Sequence, residues 1–314
     1  MKESKPIVLF LAGATAVGKT EAAVRVALEL DAEIISADSM QIYAGMDIGT
    51  AKPSPEVLGK VRHHLIDIVK PSEEFDTARF VGTARDCIAE ILQRGKVPLV
   101  VGGTPLYLKA LSQGIFRGPG ASAPIRARLT MEFLGKGPME MHERLKAVDP
   151  VSAARLHPND MRRIVRALEV FELTGEPISR FQTQFGTPAE WMNACFAGLS
   201  RPRDILYERI NLRVEEMFKK GFIEEVEKIR SGTGFGKMSS QALGYREILD
   251  GLAEGAPMEQ IIDLVKRNTR HMARKQLTWF RHMKDVQWIE MGRESSESAV
   301  QRLLEIYRSA LRKP

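Results

Sequence analysis

Residues 13–20 read GATAVGKT and directly follow the apolar run IVLFLA at residues 7–12. The helical segment EAAVRVALEL comes next, at residues 21–30. The octapeptide fits G-x-x-x-x-G-K-[ST], in which backbone N–H groups surround an anion, the lysine adds charge and the hydroxyl can hold Mg²⁺. Strand, loop and helix in this order predict a phosphate-binding loop, with Thr20 as the metal-binding residue, made by Gly13, Ala14, Thr15, Ala16, Val17, Gly18, Lys19 and Thr20.

Similar apolar runs recur along the chain, at residues 32–36, 64–69, 97–103 and 193–199. Helical patterns separate them, which indicates a parallel sheet buried on both faces. A short strand and a helix are expected at the C-terminus. We therefore predict an α/β fold, a P-loop NTPase-like parallel sheet with helices on both faces, formed by residues 1–120 and 190–314. Residues 121–189 lack such strands and predict an all-helical insertion domain.

Composition narrows the range of partners and compartments. The 314 residues carry a formal net charge of +6 and only two cysteines, so a polyanionic partner is plausible and a disulfide framework or structural zinc site is not indicated. The apolar start is too short for a secretory segment or a membrane span. We expect a cytoplasmic protein without a membrane partner.

Two acids could serve the phosphate loop, Asp38 after the strand at 32–36 and Asp67 within the run at 64–69. The strand predicted at residues 97–103 ends in Gly102 and Gly103, and Thr104 follows without an acid. Nucleotide hydrolysis usually needs such a carboxylate, so it is possible but not required by the sequence.

Asp38 opens the segment DSMQIYAGMDIGTAKP, whose composition is typical of a ligand-binding loop. Ligands of parallel sheets bind beyond the carboxyl ends of the strands, so Asp38, Ser39, Gln41 and Thr104 are expected to face the phosphate loop. The alternative is that Asp38 only caps a following helix. The residues alone leave both interpretations open.

A basic helix is predicted between Asp263 and Asp285, where no acid interrupts Lys266, Arg267, Arg270, Arg274, Lys275, Arg281 and Lys284. Helical spacing places most of these arginines on one arc. The opposite arc, predicted to be core, carries Ile261, Val265, Met272, Trp279 and Met283. A solvated face is the common explanation for such charge, but a stripe of one sign favours nucleic acid. A second basic group, Arg162, Arg163 and Arg166, follows HPND in the insertion and suggests a groove around RNA or DNA.

Taken together, the chain resembles the bacterial tRNA dimethylallyltransferases, also called tRNA isopentenyl pyrophosphate transferases. The similar segments are GATAVGKT, ISADSMQIYAGMDIGTAKP, HHLIDIVKP, PLVVGGTPLYLKAL, VDPVSAARLHPNDMRRIVRALEVFELTGEPIS, LYERINLRVEEMFKKGF, ALGYREI and ARKQLTWFR. The resemblance implies transfer of a dimethylallyl group from dimethylallyl diphosphate to N6 of adenosine 37, 3′ of the anticodon, in tRNAs that read codons beginning with U. It implies Mg²⁺ as cofactor, the tRNA anticodon stem-loop as partner, pyrophosphate as product and no obligate protein partner.

By position, the resemblance also assigns roles to residues. Thr15, Gly18, Lys19 and Thr20 would hold the diphosphate with Mg²⁺, Asp38 would accept the N6 proton, and Thr104 and Arg213 would steady the diphosphate. The catalytic set is then Asp38, Thr104 and Arg213. Contacts to tRNA are expected from Asp38, Ser39, Met40, Gln41, Thr104, Arg126, Arg162, Arg163, Ile164, Val165, Arg166, Arg270, Arg274, Lys275 and Arg281.

The sequence departs from the family pattern at Ala14, where proline is common, and at His271 and Met272, where relatives often carry a basic or aromatic pair.

Three alternatives stay open: an adenylate isopentenyltransferase acting on free nucleotide, a P-loop nucleotide kinase or RNA-dependent ATPase, and an RNA-binding protein with a vestigial loop. We expect a monomer, because an asymmetric tRNA must be enclosed. Residues 13–20, which also suggest ATP binding, are interpreted as the site of the leaving diphosphate.

Overall fold

The computed structural model of the chain describes residues 5–114, 118–182, 189–283, 285–292 and 297–312. It comprises two compact units, Met1–Ser112 with Ala189–Pro314, and Gln113–Pro188. Lys284, one of the predicted basic residues, lies outside the described residues.

The first unit is built on a parallel sheet, for which the described residues supply six strands in the order β3-β2-β4-β1-β5-β6. The strands are β1 Ile7–Gly13, β2 Ala32–Ser36, β3 His63–His64, β4 Val97–Gly102, β5 Asn193–Ser200 and β6 Gln287–Glu290. All their pairings are parallel. The central strand β1 is apolar along its length, and residues 8–12 are buried, as both-face burial requires. The predicted α/β sheet is confirmed, including the last strand near residue 193 and the C-terminal strand.

The helices are, in chain order, α1 Lys19–Leu30, α2 Pro55–Lys60, α3 Thr77–Gln93, α4 Pro105–Gln113, α5 Ala123–Lys136, α6 Pro138–Val148, α7 Pro150–Ala153, α8 Met161–Thr174, α9 Ile178–Phe181, α10 Arg203–Lys219, α11 Phe222–Ser231, α12 Tyr245–Glu254, α13 Met258–Arg281 and α14 Glu297–Leu311. Helices α5 to α9 belong to the second unit. None of the helices in the described part of the chain is long and apolar enough to cross a membrane.

The predicted strand at residues 64–69 is wrong. β3 contains only His63 and His64, because Leu65 (φ 62°) and Asp67 (φ 57°) adopt left-handed backbone conformations that interrupt an extended run. The Asp67 carboxylate forms an ion pair with Lys52. An apolar run of six residues cannot reveal such a break, since its side chains are compatible with either path.

The second unit has its own core. In the part that the structure describes, every element of this unit is a helix, and α5, α6 and α8 bury Leu129, Met141, Leu145, Ile164 and Leu168 against one another. Helix α8 begins at Met161 because the Asp160 carboxylate accepts a hydrogen bond from the N–H of Arg163. Apolar burial of this kind stabilises by roughly 1.5–3 kcal/mol for each large side chain.

The ends of β2 and β4 pack closely together at the carboxyl edge of the sheet. A Cβ added at Gly102 would lie 2.1 Å from the carbonyl oxygen of Ala37, which follows β2. Gly102→Ala must therefore push the ends of β2 and β4 apart. We expect the free energy of unfolding, measured by urea denaturation, to fall by about 1–3 kcal/mol or more.

The matched control is Gly82→Ala in α3, where an added Cβ meets no atom within 4 Å. Alanine in an open helical position restricts the conformations of the unfolded chain. The free energy of unfolding of this variant should therefore rise by about 0.4–1 kcal/mol. Equal stability of the two variants would contradict the close packing of the strand ends.

Candidate active site

The phosphate loop joins the carboxyl end of β1 to the first residue of α1. Gly18 has φ 111°, a conformation that glycine adopts without steric cost, and α1 begins at the next residue. The unpaired N–H groups of a helix's first turn, with the positive end of its dipole, favour an anion there. Ala14 and Val17 are buried in the core, so they serve the loop through backbone atoms.

Lys19 lies folded over the loop. Its Nζ donates hydrogen bonds to the carbonyl oxygens of Gly13 (3.0 Å) and Ala14 (2.8 Å). Burial lowers the pKa of Lys19 to about 8, although the charge of Asp38 acts in the opposite direction, and Arg213 lowers the pKa further. A desolvated ammonium is stabilised more by an incoming anion than a solvated ammonium is.

One cavity of about 410 Å³ brings most of the predicted site residues of the first unit together. The cavity is lined at this end by Thr15, Ala16, Lys19, Thr20, Asp38, Ser39, Met40, Gln41, Thr104 and Arg213. They come from the loop, from the segments after β2 and β4, and from α10. Gly18 lines a neighbouring cavity of about 430 Å³, which Lys19, Thr20 and Arg213 share.

Asp38 organises the turn that follows β2. Its Oδ1 accepts hydrogen bonds from the N–H groups of Met40 (2.9 Å) and Gln41 (3.4 Å). No helix follows within the described segment from residue 38 to residue 54, so Asp38 does not cap a helix. The alternative in which Asp38 only caps a helix is therefore wrong: Asp38 stabilises a turn, and it lines the cavity.

The segments after β2 and β4 are tied to each other. The N–H of Ser39 donates to Thr104 Oγ1 at 3.1 Å, and the N–H of Thr104 donates to the carbonyl of Ala37 at 3.3 Å. Gln41 accepts a hydrogen bond from Ser36 Oγ at 3.0 Å. These bonds hold the hydroxyl of Thr104 and the carboxylate of Asp38 on the same cavity wall.

Arg213 reaches the loop from α10. Its Nη1 donates to Thr15 Oγ1 at 3.5 Å. Burial lowers the pKa of Arg213, the negative charge of Asp38 raises it and Arg209 lowers it. A guanidinium stays protonated in spite of such a shift, so the site keeps a second permanent cation beside the loop.

Apolar and aromatic side chains also line the cavity. They are Ile210, Val214, Met217, Phe222, Leu243, Tyr245, Val265 and Met272. The Phe222 and Tyr245 rings pack edge to face with centroids 4.9 Å apart, and a Cβ at Gly49 would lie 2.2 Å from the Phe222 ring. The cavity therefore combines anion-binding groups with an apolar surface that includes the Phe222 and Tyr245 rings.

Glu225 was missed by the sequence reasoning, although it holds the cavity wall near Gly49. Its carboxylate accepts hydrogen bonds from the N–H groups of Asp47 (2.9 Å), Ile48 (2.7 Å) and Gly49 (3.1 Å), and from the Tyr245 hydroxyl (2.5 Å). Within the segment EEVEK nothing distinguishes it from an ordinary surface acid.

Gln276 was missed for a similar reason. This side chain on α13 accepts a hydrogen bond from the N–H of Thr15 through Oε1 (3.0 Å) and donates to the carbonyl of Gly103 through Nε2 (2.6 Å). The two partners of the first bond are 261 residues apart in the chain. No local pattern could have found this contact.

The basic helix of the first unit is α13, and the structure corrects part of its predicted pattern. Trp279, predicted to be core, is 40% exposed, with Lys109 Nζ 5.6 Å from its ring centroid, whereas Ala273 and Phe280 are buried. Arg274, Lys275 and Arg281 are exposed. Arg270 is partly buried and donates to Asn211 at 2.5 Å.

In the second unit, Arg162 and Arg163 are exposed on α8. Ile164 and Val165, predicted to contact tRNA, are 0% and 3% exposed. The helix turns both side chains into the core of the unit, and a contact to tRNA at these two positions stays a prediction.

Arg126 and Arg166 donate to the buried carboxylate of Glu169, each at 2.7 Å. Burial would raise the pKa of Glu169, but these hydrogen bonds and one from the N–H of Ser122 hold it below its ordinary value. The two arginines therefore stabilise the helical unit, and an RNA phosphate would have to share them.

Comparison with known proteins places these features in a family. A model described as IPP transferase matches residues 41–283, and one described as isopentenyl transferase matches residues 6–73. The chain is 47% identical over 288 residues to the tRNA dimethylallyltransferase of Geobacter sulfurreducens, covering 91% of this chain and 93% of that protein. It is 46% identical over 306 residues to the tRNA dimethylallyltransferase of Symbiobacterium thermophilum, covering 96% of this chain and 95% of that protein.

Solved structures are similar as well. The full-length tRNA isopentenylpyrophosphate transferase from Bacillus halodurans superposes with a TM-score of 0.71 at 39% identity, covering 98% of this chain and 99% of that one. A eukaryotic dimethylallyltransferase, an enzyme described as acting on tRNA, superposes with a TM-score of 0.83 at 26% identity. That match covers 98% of this chain and 79% of the eukaryotic one.

The lowered pKa of Lys19 predicts a pH dependence of anion binding. Below about pH 8 the ammonium is charged and attracts pyrophosphate, and above it the neutral amine must first take up a proton. The affinity for pyrophosphate, measured calorimetrically from pH 7 to 9.5, should therefore be weakened by up to about tenfold for each pH unit above this pKa.

Lys19→Arg is the control, since a guanidinium stays protonated throughout this range. Pyrophosphate itself ionises similarly in both experiments, so the difference between the two profiles isolates Lys19. Parallel profiles for the wild type and the variant would contradict a titrating Lys19.

Proposed function

The chain belongs to the IPP transferase family, and from that premise we propose that it transfers the dimethylallyl group of dimethylallyl diphosphate to N6 of adenosine 37 in tRNAs that read codons beginning with U. As a member of this family it is a prenyltransferase that modifies tRNA. The observation that carries the finer proposal is the single cavity in which an anion-binding loop, one carboxylate and an apolar wall meet.

The loop end of the cavity suits a leaving diphosphate. When the allylic C–O bond breaks, its electron pair leaves with the diphosphate, whose negative charge grows while the carbon becomes cationic. Loop N–H groups, Lys19 and Arg213 would stabilise that charge, and buried cations do so more strongly than solvated ones. Thr104, held by Ser39, adds a hydroxyl at this end.

Asp38 is the proposed proton acceptor. An exocyclic adenine amine is a weak nucleophile, and a carboxylate that takes its proton assists formation of the new N–C bond. Within the described residues, Asp38 is the one acid that lines the cavity. Its Oδ1 is anchored by the turn N–H groups, which fixes the carboxylate relative to the loop.

The apolar wall suits the five-carbon group. Phe222, Met217 and Val214 offer contact area but no hydrogen bonds, as a branched hydrocarbon requires. The volume of about 410 Å³ falls within the usual range for small-molecule pockets. Water excluded from this wall would not compete with N6 for the allylic carbon.

A magnesium ion fits the donors of this site. Thr20 offers a hydroxyl at the start of α1, on the wall of the cavity. The described residues contain no group of three or more His, Cys, Asp or Glu suited to a metal, so most ligands would be phosphate oxygens and water, as Mg²⁺ commonly accepts. Thr20 would hold Mg²⁺, which when bound would neutralise diphosphate charge.

Recognition of tRNA is proposed to use basic residues of both units. Adenosine 37 is stacked in the anticodon loop, so it must be flipped out to reach a cavity. The exposed arginines and lysine of α13, and Arg162 and Arg163 of α8, can neutralise tRNA phosphates. A tRNA substrate makes the cytoplasm the expected compartment, and we expect no obligate protein partner.

A nucleotide kinase or ATPase is the less favoured alternative. Asp67, the other acid considered from the sequence, pairs with Lys52 and lies outside the lining of the cavity. A single lining carboxylate leaves no second acid for metal or water, which phosphoryl transfer commonly uses. A free-nucleotide prenyltransferase is disfavoured because the similarity to tRNA-modifying enzymes extends across the helical unit.

Asp38→Asn tests the proposed proton acceptor. Asparagine keeps the size and the hydrogen bonds to the turn but cannot take a proton. Prenylated adenosine, measured by nucleoside mass spectrometry under single-turnover conditions, should form at least ~100-fold more slowly, while binding of tRNA is retained.

Asp86→Asn on the exposed face of α3 is the matched control and should leave the rate unchanged. If Asp38→Asn kept a rate within about threefold of the wild type, Asp38 would not be the base.

A further inference from the structure

Gln276 occupies part of the phosphate loop's anion-binding surface. Its Oε1 accepts the N–H of Thr15, the third residue of the loop, at 3.0 Å. Backbone N–H groups of such a loop normally bind phosphate oxygens. This N–H is already used by a side chain of the protein.

The amide also lies close to the ammonium of Lys19. A Cβ placed on Gly103 would be 2.9 Å from Gln276 Nε2 and 3.6 Å from Lys19 Nζ, so the two groups converge on the same glycine. In G-x-x-x-x-G-K-[ST] loops the lysine reaches the outer phosphates of a bound triphosphate. The Gln276 amide therefore stands at the end of the loop where the terminal phosphate of a triphosphate would lie.

We propose that Gln276 sets the length of phosphate chain that the loop accepts, admitting a diphosphate and excluding a triphosphate. This inference rests on the proposed function, in which the loop holds the diphosphate of a prenyl donor. A third phosphate would have to displace an amide that is hydrogen-bonded at both ends, to Thr15 and to Gly103.

The chemistry of glutamine suits a residue that excludes a third phosphate. Oε1 is an acceptor, so a phosphate oxygen approaching Thr15 would compete with it for one N–H. The amide is neutral, so it does not repel a diphosphate bound farther along the loop, as a glutamate would. An arginine or lysine here would instead add a cation that attracts a third phosphate.

Binding of two inorganic probes tests the proposal without catalysis. Pyrophosphate and tripolyphosphate are titrated calorimetrically, each with Mg²⁺, into the full chain. An unobstructed cationic loop should prefer tripolyphosphate, which carries more charge. The wild type is instead expected to bind pyrophosphate at least about tenfold more tightly, because a partly buried amide with two hydrogen bonds must be displaced by the longer anion.

Gln276→Ala should lower this preference by about tenfold or more, through tighter binding of tripolyphosphate. Gln276→Asn, which is one methylene shorter and still polar, should act in the same direction and serves if the alanine variant fails to fold. Gln260→Ala, on the same helix but away from the loop, should keep the wild-type preference.

The inference is overturned if the wild type prefers tripolyphosphate. It is also overturned if the Gln276 substitutions weaken the binding of both probes equally, since Gln276 would then serve only to dock α13. Prenylation of tRNA is assayed separately. If the wild type prenylates tRNA but the Gln276 variants keep the wild-type probe preference, only the role of Gln276 is refuted. If the Gln276 variants shift the probe preference but the wild type does not prenylate tRNA, only the proposed reaction is refuted.

Discussion

Partly desolvated positive charge at the end of the sheet is the constraint on which the site depends. Lys19 and Arg213 are both desolvated beside the loop, and burial lowers the pKa of each. Asp38 offsets part of this charge but not all of it. At the same edge of the sheet, the ends of β2 and β4 approach until only glycine fits at Gly102.

The apolar side chains that line the cavity distinguish this loop from a nucleotide site with the same sequence pattern. A loop of N–H groups recognises linked phosphates and is indifferent to what they carry. Phe222 and Tyr245 form one wall, and Glu225 secures the segment at Gly49 against both rings. The surroundings of the loop, rather than the loop itself, therefore decide the chemistry.

Features that depend on neighbours in the chain could be predicted from the sequence. The loop, the parallel strands and the position of Asp38 after β2 follow from local patterns, because strand ends meet at one edge of a parallel sheet. The break after His64 and the exposure of Trp279 could not be predicted, since they depend on backbone conformation and packing. Glu225 and Gln276 reach partners distant in the chain, so their roles exist only once the fold has formed.

Competition between the two possible uses of the loop tests the central claim most directly. An anticodon stem-loop with adenosine at position 37 is incubated with the protein, Mg²⁺ and equal concentrations of dimethylallyl diphosphate and ATP. Nucleosides and released phosphates are then quantified by mass spectrometry and ion chromatography. The predicted result is one pyrophosphate for each adenosine that gains a five-carbon unit, with ATP unchanged. Consumption of ATP without a prenylated adenosine would contradict it.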